Sequence, residues 1–117
     1  MKITIVAGAR PNFMKISPII RAIEKLKTST KPIDYRLVHT GQHYDANLSD
    51  TFFEELQIPH PHKNLNIKSG TQAEQTAGIM IGFENELIQN RPDFVIVVGD
   101  VTSTMACAIV TKKANIS

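Results

Sequence analysis

Short apolar runs alternate along the chain with longer segments whose apolar positions recur every three or four residues. The runs at residues 3–7 and 94–98 are rich in β-branched residues and are followed by glycine, which is typical of strands buried on both faces of a parallel sheet. Residues 33–40 form another strand candidate, and residues 64–67 alternate polar and apolar side chains. The pattern therefore predicts strands at these places in the chain.

Amphipathic segments after the first two strands predict two helices. In the first, apolar residues share one face and charged residues the other; the apolar set is Ile16, Ile19, Ile20, Ile23 and Leu26. Pro18 either kinks this helix or opens its regular part with Ser17 as the cap. The second helix is marked by Leu48, Phe52, Phe53 and Leu56, and we expect Pro59 to end it.

Two further helices are predicted in the second half of the chain. Thr71 and Glu74 have the spacing of a capping box, so we expect a third helix to begin there and to run to about Asn90. The residues expected to face inward from this helix are Ala73, Ala77, Met80, Ile81, Leu87 and Ile88. Residues 102–113 form the fourth.

Alternating strands and helices predict an α/β fold: a Rossmann-like, doubly wound parallel sheet with helices on both faces. In the strand order 3-2-1-4, the first and fourth strands are neighbours and the chain reverses direction between them. Ligands of such sheets bind outside the carboxyl ends of the strands at that reversal. Topology alone therefore selects residues 8–15 and 99–104 as the candidate site.

Composition narrows the class of protein. A chain of 117 residues with 42% hydrophobic and 21% charged residues fits one soluble domain, here residues 1–117. The formal charge of +2 is spread along the chain, so we expect no nucleic-acid partner. No apolar stretch is long enough to span a bilayer, and we expect no membrane partner and no signal peptide. The single cysteine, Cys107, fits a cytoplasmic protein and is expected to be a core residue.

Arg10 and Lys15 follow the first strand within six residues of each other. The N-terminus of the next helix adds free amides and a positive dipole end there, so a diphosphate or sugar phosphate would be a natural ligand. The alternative is an ordinary solvated pair of cations. The segment lacks the glycines of a dinucleotide-binding loop, because Arg10 and Phe13 stand at two of their positions.

Asp100 follows the most apolar strand and belongs to the same predicted crevice. Its carboxylate could act as a general acid or base, accept a hydrogen bond from a sugar hydroxyl, or cap the next helix. Thr102, Ser103 and Thr104 also have the side chains of helix caps, which leaves Asp100 freer for another role.

Gln42 and His43 follow the second strand, again at its carboxyl end, where they could bind a polar ligand. A histidine bonded to loop backbone is the alternative. His60 and His62 flank a proline, but no cysteine or carboxylate set accompanies them, so we predict no metal site.

Together these motifs resemble those of the UDP-N-acetylglucosamine 2-epimerase family. The resemblance rests on Gly8-x-Arg10-Pro11-x-x-x-Lys15, Thr40-Gly41-Gln42-His43, and Arg91-Pro92-Asp93 leading to Gly99-Asp100, in the family's order and approximate spacing. It extends to Phe52-Phe53-Glu54-Glu55-Leu56-x-Ile58-Pro59 and to Ala73-Glu74-Gln75-Thr76. These motifs cover nearly the whole chain.

The resemblance implies the N-terminal half of a glycosyltransferase-B-type fold, in which two Rossmann-like domains enclose a UDP-sugar. It implies inversion at C2 of UDP-N-acetylglucosamine to UDP-N-acetylmannosamine, through elimination and re-addition of UDP. Arg10 and Lys15 match positions that contact UDP, Asp100 matches an acidic residue needed for turnover, and Gln42 matches a residue that binds an activating second substrate molecule. No cofactor is expected, and the full-length protein is expected to be a homodimer serving cell-envelope polysaccharide synthesis.

The chain departs from the family pattern at Ala9, Asn12 and Val101, where threonine, glutamate and threonine are usual. A family segment with a catalytic glutamate is expected beyond Ser117, as is the UDP-binding second domain, so we expect these residues alone to be inactive. A hydrolysing relative that releases N-acetylmannosamine, and a non-catalytic nucleotide-binding domain, remain alternatives.

Overall fold

A computed structural model describes the chain in the ranges 1–8, 10–27, 32–41, 50–67, 70–99 and 102–117, without the side chains of Arg10 and Asp50. Its strands are β1 (Lys2–Ala7), β2 (Asp34–His39), β3 (Lys63–Asn64) and β4 (Phe94–Val97). They pair in parallel in the order β3-β2-β1-β4. The predicted fold class and strand order are therefore confirmed, although β3 is shorter than predicted.

The helices are α1 (Arg10–Leu26), α2 (Asp50–Leu56), α3 (Gln72–Gln89) and α4 (Thr102–Lys113). α4 has its predicted bounds. α1 is one continuous helix with Pro18 inside it, so the interpretation of Ser17 as a cap is wrong. Proline has no amide hydrogen to donate to the carbonyl four residues earlier. The hydroxyl of Ser17 donates to that Met14 carbonyl instead, at 3.3 Å.

α3 begins with the predicted capping box, because Thr71 Oγ1 accepts from the Glu74 amide and the Glu74 carboxylate accepts from the Thr71 amide. Its inward face is the predicted one only in part, because Leu87 is buried and Met80 packs against the core as predicted, but other residues of the predicted set are exposed. The buried residues are Ile79, Phe83, Glu86 and Leu87, whereas Ala73, Ala77, Ile81 and Ile88 are exposed. The helix carries apolar residues on two faces, and the face with the phenylalanine packs on the sheet.

Each face of the sheet has its own hydrophobic core. Ile5 and Leu37 pack with residues of α1 and α2, whereas Val6 and Val38 pack with residues of α3 and α4. Neighbouring residues of a strand point to opposite faces, which accounts for strands that are apolar at consecutive positions. Both helical layers hold the carboxyl ends of β1, β2 and β4 in place.

Within the described ranges, no helix has the length and apolar character needed to cross a membrane.

Candidate functional site

β1 and β4 lie side by side, paired from Ile3 with Phe94 to Val6 with Val97. Their carboxyl ends therefore meet at one edge of the sheet, which we call the carboxyl edge. The segments that follow, residues 8–15 and 99–104, both start there. This is the strand reversal at which ligands of doubly wound sheets bind, and the predicted adjacency of the two strands is confirmed.

Helix N-termini converge on the carboxyl edge. α1 begins at Arg10 and α4 at Thr102, and neither helix has an acidic residue in its first turn. The start of α3 lies beside that of α4, since Thr102 Oγ1 and Gln72 Oε1 are 3.4 Å apart. Free amides and the positive ends of helix dipoles favour an anion at such a place.

Asn12 joins the two turns that form this edge. It lies in the first turn of α1 and is buried, with 5% of its surface exposed. Its Oδ1 accepts a hydrogen bond of 3.2 Å from the Gly8 amide, which ties it to the end of β1. A β-carbon on Gly99 would lie 2.8 Å from Asn12 Nδ2, so the turn after β4 approaches the same carboxamide closely.

Two buried hydroxyls lie on the other side of Gly8. A β-carbon there would be 2.5 Å from Ser103 Oγ and 3.2 Å from Thr40 Oγ1, so any larger residue would force these buried side chains to shift. Ser103 is 2% exposed and Thr40 is fully buried. The absence of a side chain at Gly8 lets the first turn of α4 pack directly against the end of β1.

Only some of the predicted site residues belong to the part of the chain that the structure describes. Lys15 lies exposed on the second turn of α1, and the backbone of Arg10 begins that helix at the carboxyl edge. Asp100, Gln42 and His43, and the side chain of Arg10, lie outside the described residues. The structure thus brings together the segments that carry Arg10 and Lys15 with Gly99, and the roles of the five residues stay predictions.

The loop with Gln42 and His43 departs from the same edge. It begins at Gly41, whose φ of 74° is in the left-handed region that favours glycine. A β-carbon at this position would lie 2.5 Å from Asn64 Oδ1 and 2.8 Å from the Asn66 amide nitrogen. Glycine at this position therefore lets the end of β2 pack closely against Asn64 and Asn66.

The other candidate residues, Cys107, His60 and His62, have contacts that point to a structural role. Burial raises the pKa of the Cys107 thiol to about 12, so this cysteine is a neutral core residue, as predicted. His62 Nδ1 accepts from the Leu37 amide at 2.9 Å, and the ring of His60 lies 5.1 Å from that of Phe53. The described residues include no group of three His, Cys, Asp or Glu side chains placed to hold a metal ion.

Sequence reasoning noticed Asn12 as a departure from the family pattern and gave it no role. It likewise assigned no packing role to Thr40 or Ser103. One signal was available, namely an asparagine four residues after the glycine that ends a strand, because its short carboxamide can accept from that glycine's amide. The contacts with Gly99 and Ser103 are non-local, and the spacing of residues does not reveal them.

Comparisons with known proteins place this geometry among nucleotide-sugar enzymes. The family model described as UDP-N-acetylglucosamine 2-epimerase matches residues 24–117. A UDP-N-acetylglucosamine 2-epimerase of Methanocaldococcus jannaschii is 47% identical over 116 residues, which are 99% of this chain and 30% of the relative. A UDP-2,3-diacetamido-2,3-dideoxy-D-glucuronate 2-epimerase of Pseudomonas aeruginosa is 40% identical over 116 residues, which are 99% and 32%.

Solved structures agree with these relatives. The crystal structure of the Methanocaldococcus jannaschii UDP-GlcNAc 2-epimerase, in complex with UDP-GlcNAc and UDP, superposes with a TM-score of 0.88 at 47% identity. The match covers 100% of this chain and 31% of that one. A Neisseria meningitidis enzyme bound to UDP-GlcNAc matches with a TM-score of 0.84 at 29% identity, over 99% and 30%. The chain therefore spans about 30% of the length of these relatives.

Proposed function

The chain belongs to the UDP-N-acetylglucosamine 2-epimerase family, and on that premise we propose that it is the N-terminal, Rossmann-like domain of an enzyme that interconverts UDP-N-acetylglucosamine and UDP-N-acetylmannosamine. A second domain of the glycosyltransferase-B type supplies the remaining contacts to UDP. The enzyme is an isomerase, and the stereocentre inverted is C2 of the sugar.

The observation that carries this proposal is the pairing of β1 with β4, which brings the N-termini of α1 and α4 to one edge. The diphosphate of a UDP-sugar is the anion that such an edge would stabilise. It is also a good leaving group when its developing charge meets fixed positive dipoles and cations, since these stabilise a transition state more than a ground state.

The proposed reaction begins with loss of the proton from C2 and of UDP from C1, which leaves a 2-acetamidoglucal. UDP then adds back to C1, and a proton is delivered to the opposite face of C2. Arg10 and Lys15 hold the diphosphate through both steps. Lys15 has an exposed side chain on α1, where a ligand at the carboxyl edge can reach it.

Asp100 is the proposed acid or base that this half contributes, because the turn that begins at Gly99 leads directly into it. A carboxylate beside the reacting sugar can take up or return the C2 proton. Gln42 and His43 are proposed to bind the substrate from the loop after β2, since that loop also leaves from the carboxyl edge.

The remaining parts of the proposal concern the setting of the enzyme. We infer a cytoplasmic homodimer that binds its UDP-sugar without a cofactor or a nucleic-acid or membrane partner, and that supplies a precursor for cell-envelope polysaccharide. The formal charge of +2 distributed over 117 residues supports the lack of a nucleic-acid partner. Sedimentation or light scattering of the full-length protein tests the dimer.

Two lysines of α1 provide a test of the site. Lys15 lies near the carboxyl edge, whereas Lys25 lies in the last turn of the same helix, close to the opposite edge. We expect Lys15→Met in the full-length protein to lower kcat/KM by about tenfold or more, since one charge-assisted contact contributes roughly 1.5–3 kcal/mol. Lys25→Met is the matched control and should leave turnover unchanged. Equal effects of the two changes would contradict a diphosphate at this edge.

The identity of the products distinguishes the proposed reaction from its alternatives. The full-length protein is incubated with UDP-N-acetylglucosamine, and the sugar products are separated by ion-exchange chromatography. The proposal predicts UDP-N-acetylmannosamine without net release of UDP. Free N-acetylmannosamine with equimolar UDP would identify a hydrolysing enzyme, and binding without turnover would identify a non-catalytic domain. A parallel incubation with the diacetamido uronate tests the substrate named for the Pseudomonas relative.

A further inference from the structure

The carboxamide of Asn12 lies between the two turns of the carboxyl edge. Its oxygen side faces the turn after β1, where Oδ1 accepts from the Gly8 amide at 3.2 Å. The residue is 5% exposed. A buried amide group is costly unless its polar atoms are bonded, so this side chain has a strongly preferred orientation.

The nitrogen side of the same carboxamide faces the turn after β4. Gly99 has a φ of 99°, and a β-carbon on it would lie 2.8 Å from Asn12 Nδ2. Thr104 also holds this turn, because its Oγ1 donates to the Val98 carbonyl at 2.9 Å. Gly99 therefore lies close to both a threonine of α4 and an asparagine of α1.

We propose that Asn12 is a positioning residue that fixes the turn after β1 against the turn after β4, and thereby sets the distance between the start of α1 and the residues that follow Gly99. Asn12 acts through its neighbours, because its buried side chain is bonded to the protein backbone. This inference rests on the proposed function, in which one turn carries the cation for the leaving diphosphate and the other carries the acid or base.

Elimination from the sugar requires the cation that holds the diphosphate and the acid or base to act at the same time. The diphosphate must be held while the C2 proton is removed, and a displacement of about 1 Å between catalytic groups can lower a rate by about a hundredfold. A residue that locks the two turns together should therefore affect the chemical step far more than substrate binding. The kcat of an Asn12 variant should fall while its KM stays close to that of the wild type.

The first experiment compares three variants in the full-length protein. Asn12→Ala removes the carboxamide, and we expect kcat to fall by about tenfold or more with KM changed by less than about threefold. Ser17→Ala is the matched control, since Ser17 is a buried polar residue of the same helix, 3% exposed, whose hydroxyl bonds within α1. Asn12→Asp keeps an acceptor for the Gly8 amide, but it replaces the amide nitrogen that faces Gly99 with an oxygen and adds a negative charge where the diphosphate is proposed to bind, so kcat should stay low.

The second experiment tests the contact between Asn12 and Gly99 directly. Gly99→Ala introduces strain at a positive φ in any background, but its methyl group meets the Asn12 amide only when that amide is present. In a double-mutant cycle the backbone strain cancels and the contact remains. We expect Gly99→Ala to reduce kcat at least about threefold less in the Asn12→Ala background than in the wild type.

The possible outcomes separate this inference from the proposed function. A wild-type protein that does not turn over UDP-sugar refutes the proposed function and the positioning role with it. If the wild type is active and Asn12→Ala behaves like Ser17→Ala, the positioning role alone is overturned. Additive effects in the cycle overturn it as well, because the two turns would then act independently.

Discussion

The carboxylate of Glu86 on α3 forms a two-pronged ion pair with the guanidinium of Arg36 on β2. Arg36 Nε lies 2.5 Å from Glu86 Oε2, and Nη2 lies 3.2 Å from Oε1. The glutamate side chain is 1% exposed and that of the arginine 32%. An acidic residue is therefore held inside the layer between α3 and the sheet by a partner fifty residues away.

Removing one partner of this ion pair should destabilise the folded protein. We expect Arg36→Met to lower the free energy of unfolding by about 3 kcal/mol, the lower end for a broken buried pair, because Arg36 keeps some contact with water. Urea unfolding of the single variants and of the double variant Arg36→Met/Glu86→Leu measures this. The double variant should recover most of the loss, since no unpaired charge remains. A double variant less stable than Arg36→Met would contradict this account.

Gly8 and Gly82 should respond in opposite directions to the same substitution. Gly8→Ala places a methyl group 2.5 Å from Ser103 Oγ and should destabilise the protein, whereas a β-carbon at Gly82 would meet Leu65 at an ordinary 3.5 Å. Gly82 is inside α3, where alanine is favoured over glycine by about 0.5–1 kcal/mol. Thermal unfolding of the two variants checks the contrast. Similar shifts of Tm in the two variants would contradict the close packing described at Gly8.

Local sequence patterns were sufficient to predict much of the fold. α4 has its predicted bounds, and the capping box at Thr71 starts α3 as predicted, because both depend on residues close in the chain. The inward face of α3 was predicted only in part, since Leu87 is buried as expected but most of the other residues expected to face inward are exposed. Its two apolar faces are both plausible by periodicity, and the choice between them depends on Phe83 packing against the sheet and on Arg36 pairing with Glu86.

The position of the candidate site could be predicted from the sequence, but the roles of its individual residues were harder to predict. The strand reversal follows from the alternation of strands and helices, so the carboxyl edge near Gly8 and Gly99 could be selected in advance. The role of Asn12 could not, because its carboxamide contacts Gly99 across the fold. Asp100, Gln42 and His43 lie outside the described residues, and their roles are still predictions.

His62 should make stability depend on pH. Its Nδ1 must be unprotonated to accept from the Leu37 amide, and burial, followed by the nearby Arg36 charge, lowers its pKa below the ordinary 6.5. The unfolded chain therefore binds a proton at a higher pH than the folded chain does. Stability from this contact is complete above the ordinary pKa and is lost as the pH falls towards and through the lowered pKa.

The substitution His62→Asn isolates this effect. Its Oδ1 can accept from the Leu37 amide without titrating, so the variant should lack the loss that the wild type shows as the pH falls below about 6.5. Urea unfolding at several pH values provides the two stability curves, and their difference reports His62. Curves that stay parallel through this range would contradict the assignment.

Asp100→Asn separates a chemical role from a structural one. Asparagine caps a helix about as well as aspartate but cannot exchange a proton, so a capping residue would tolerate the change. If Asp100 is the acid or base, kcat of the full-length protein should fall by about 10²–10⁴ with little change in Tm. Near-normal turnover would assign Asp100 to structure.

The central position of β1 has a consequence for how the chain acquires its fold during synthesis. β1 leaves the ribosome first, and its partner β2 follows within forty residues, but its other partner β4 ends at Val97. β1, α1 and β2 can therefore associate early, while one side of β1 stays unpaired until β4 has been made. Such long-range pairing slows folding and exposes an apolar strand edge in the meantime. Nascent chains that end before β4 are the ones we expect to associate with chaperones.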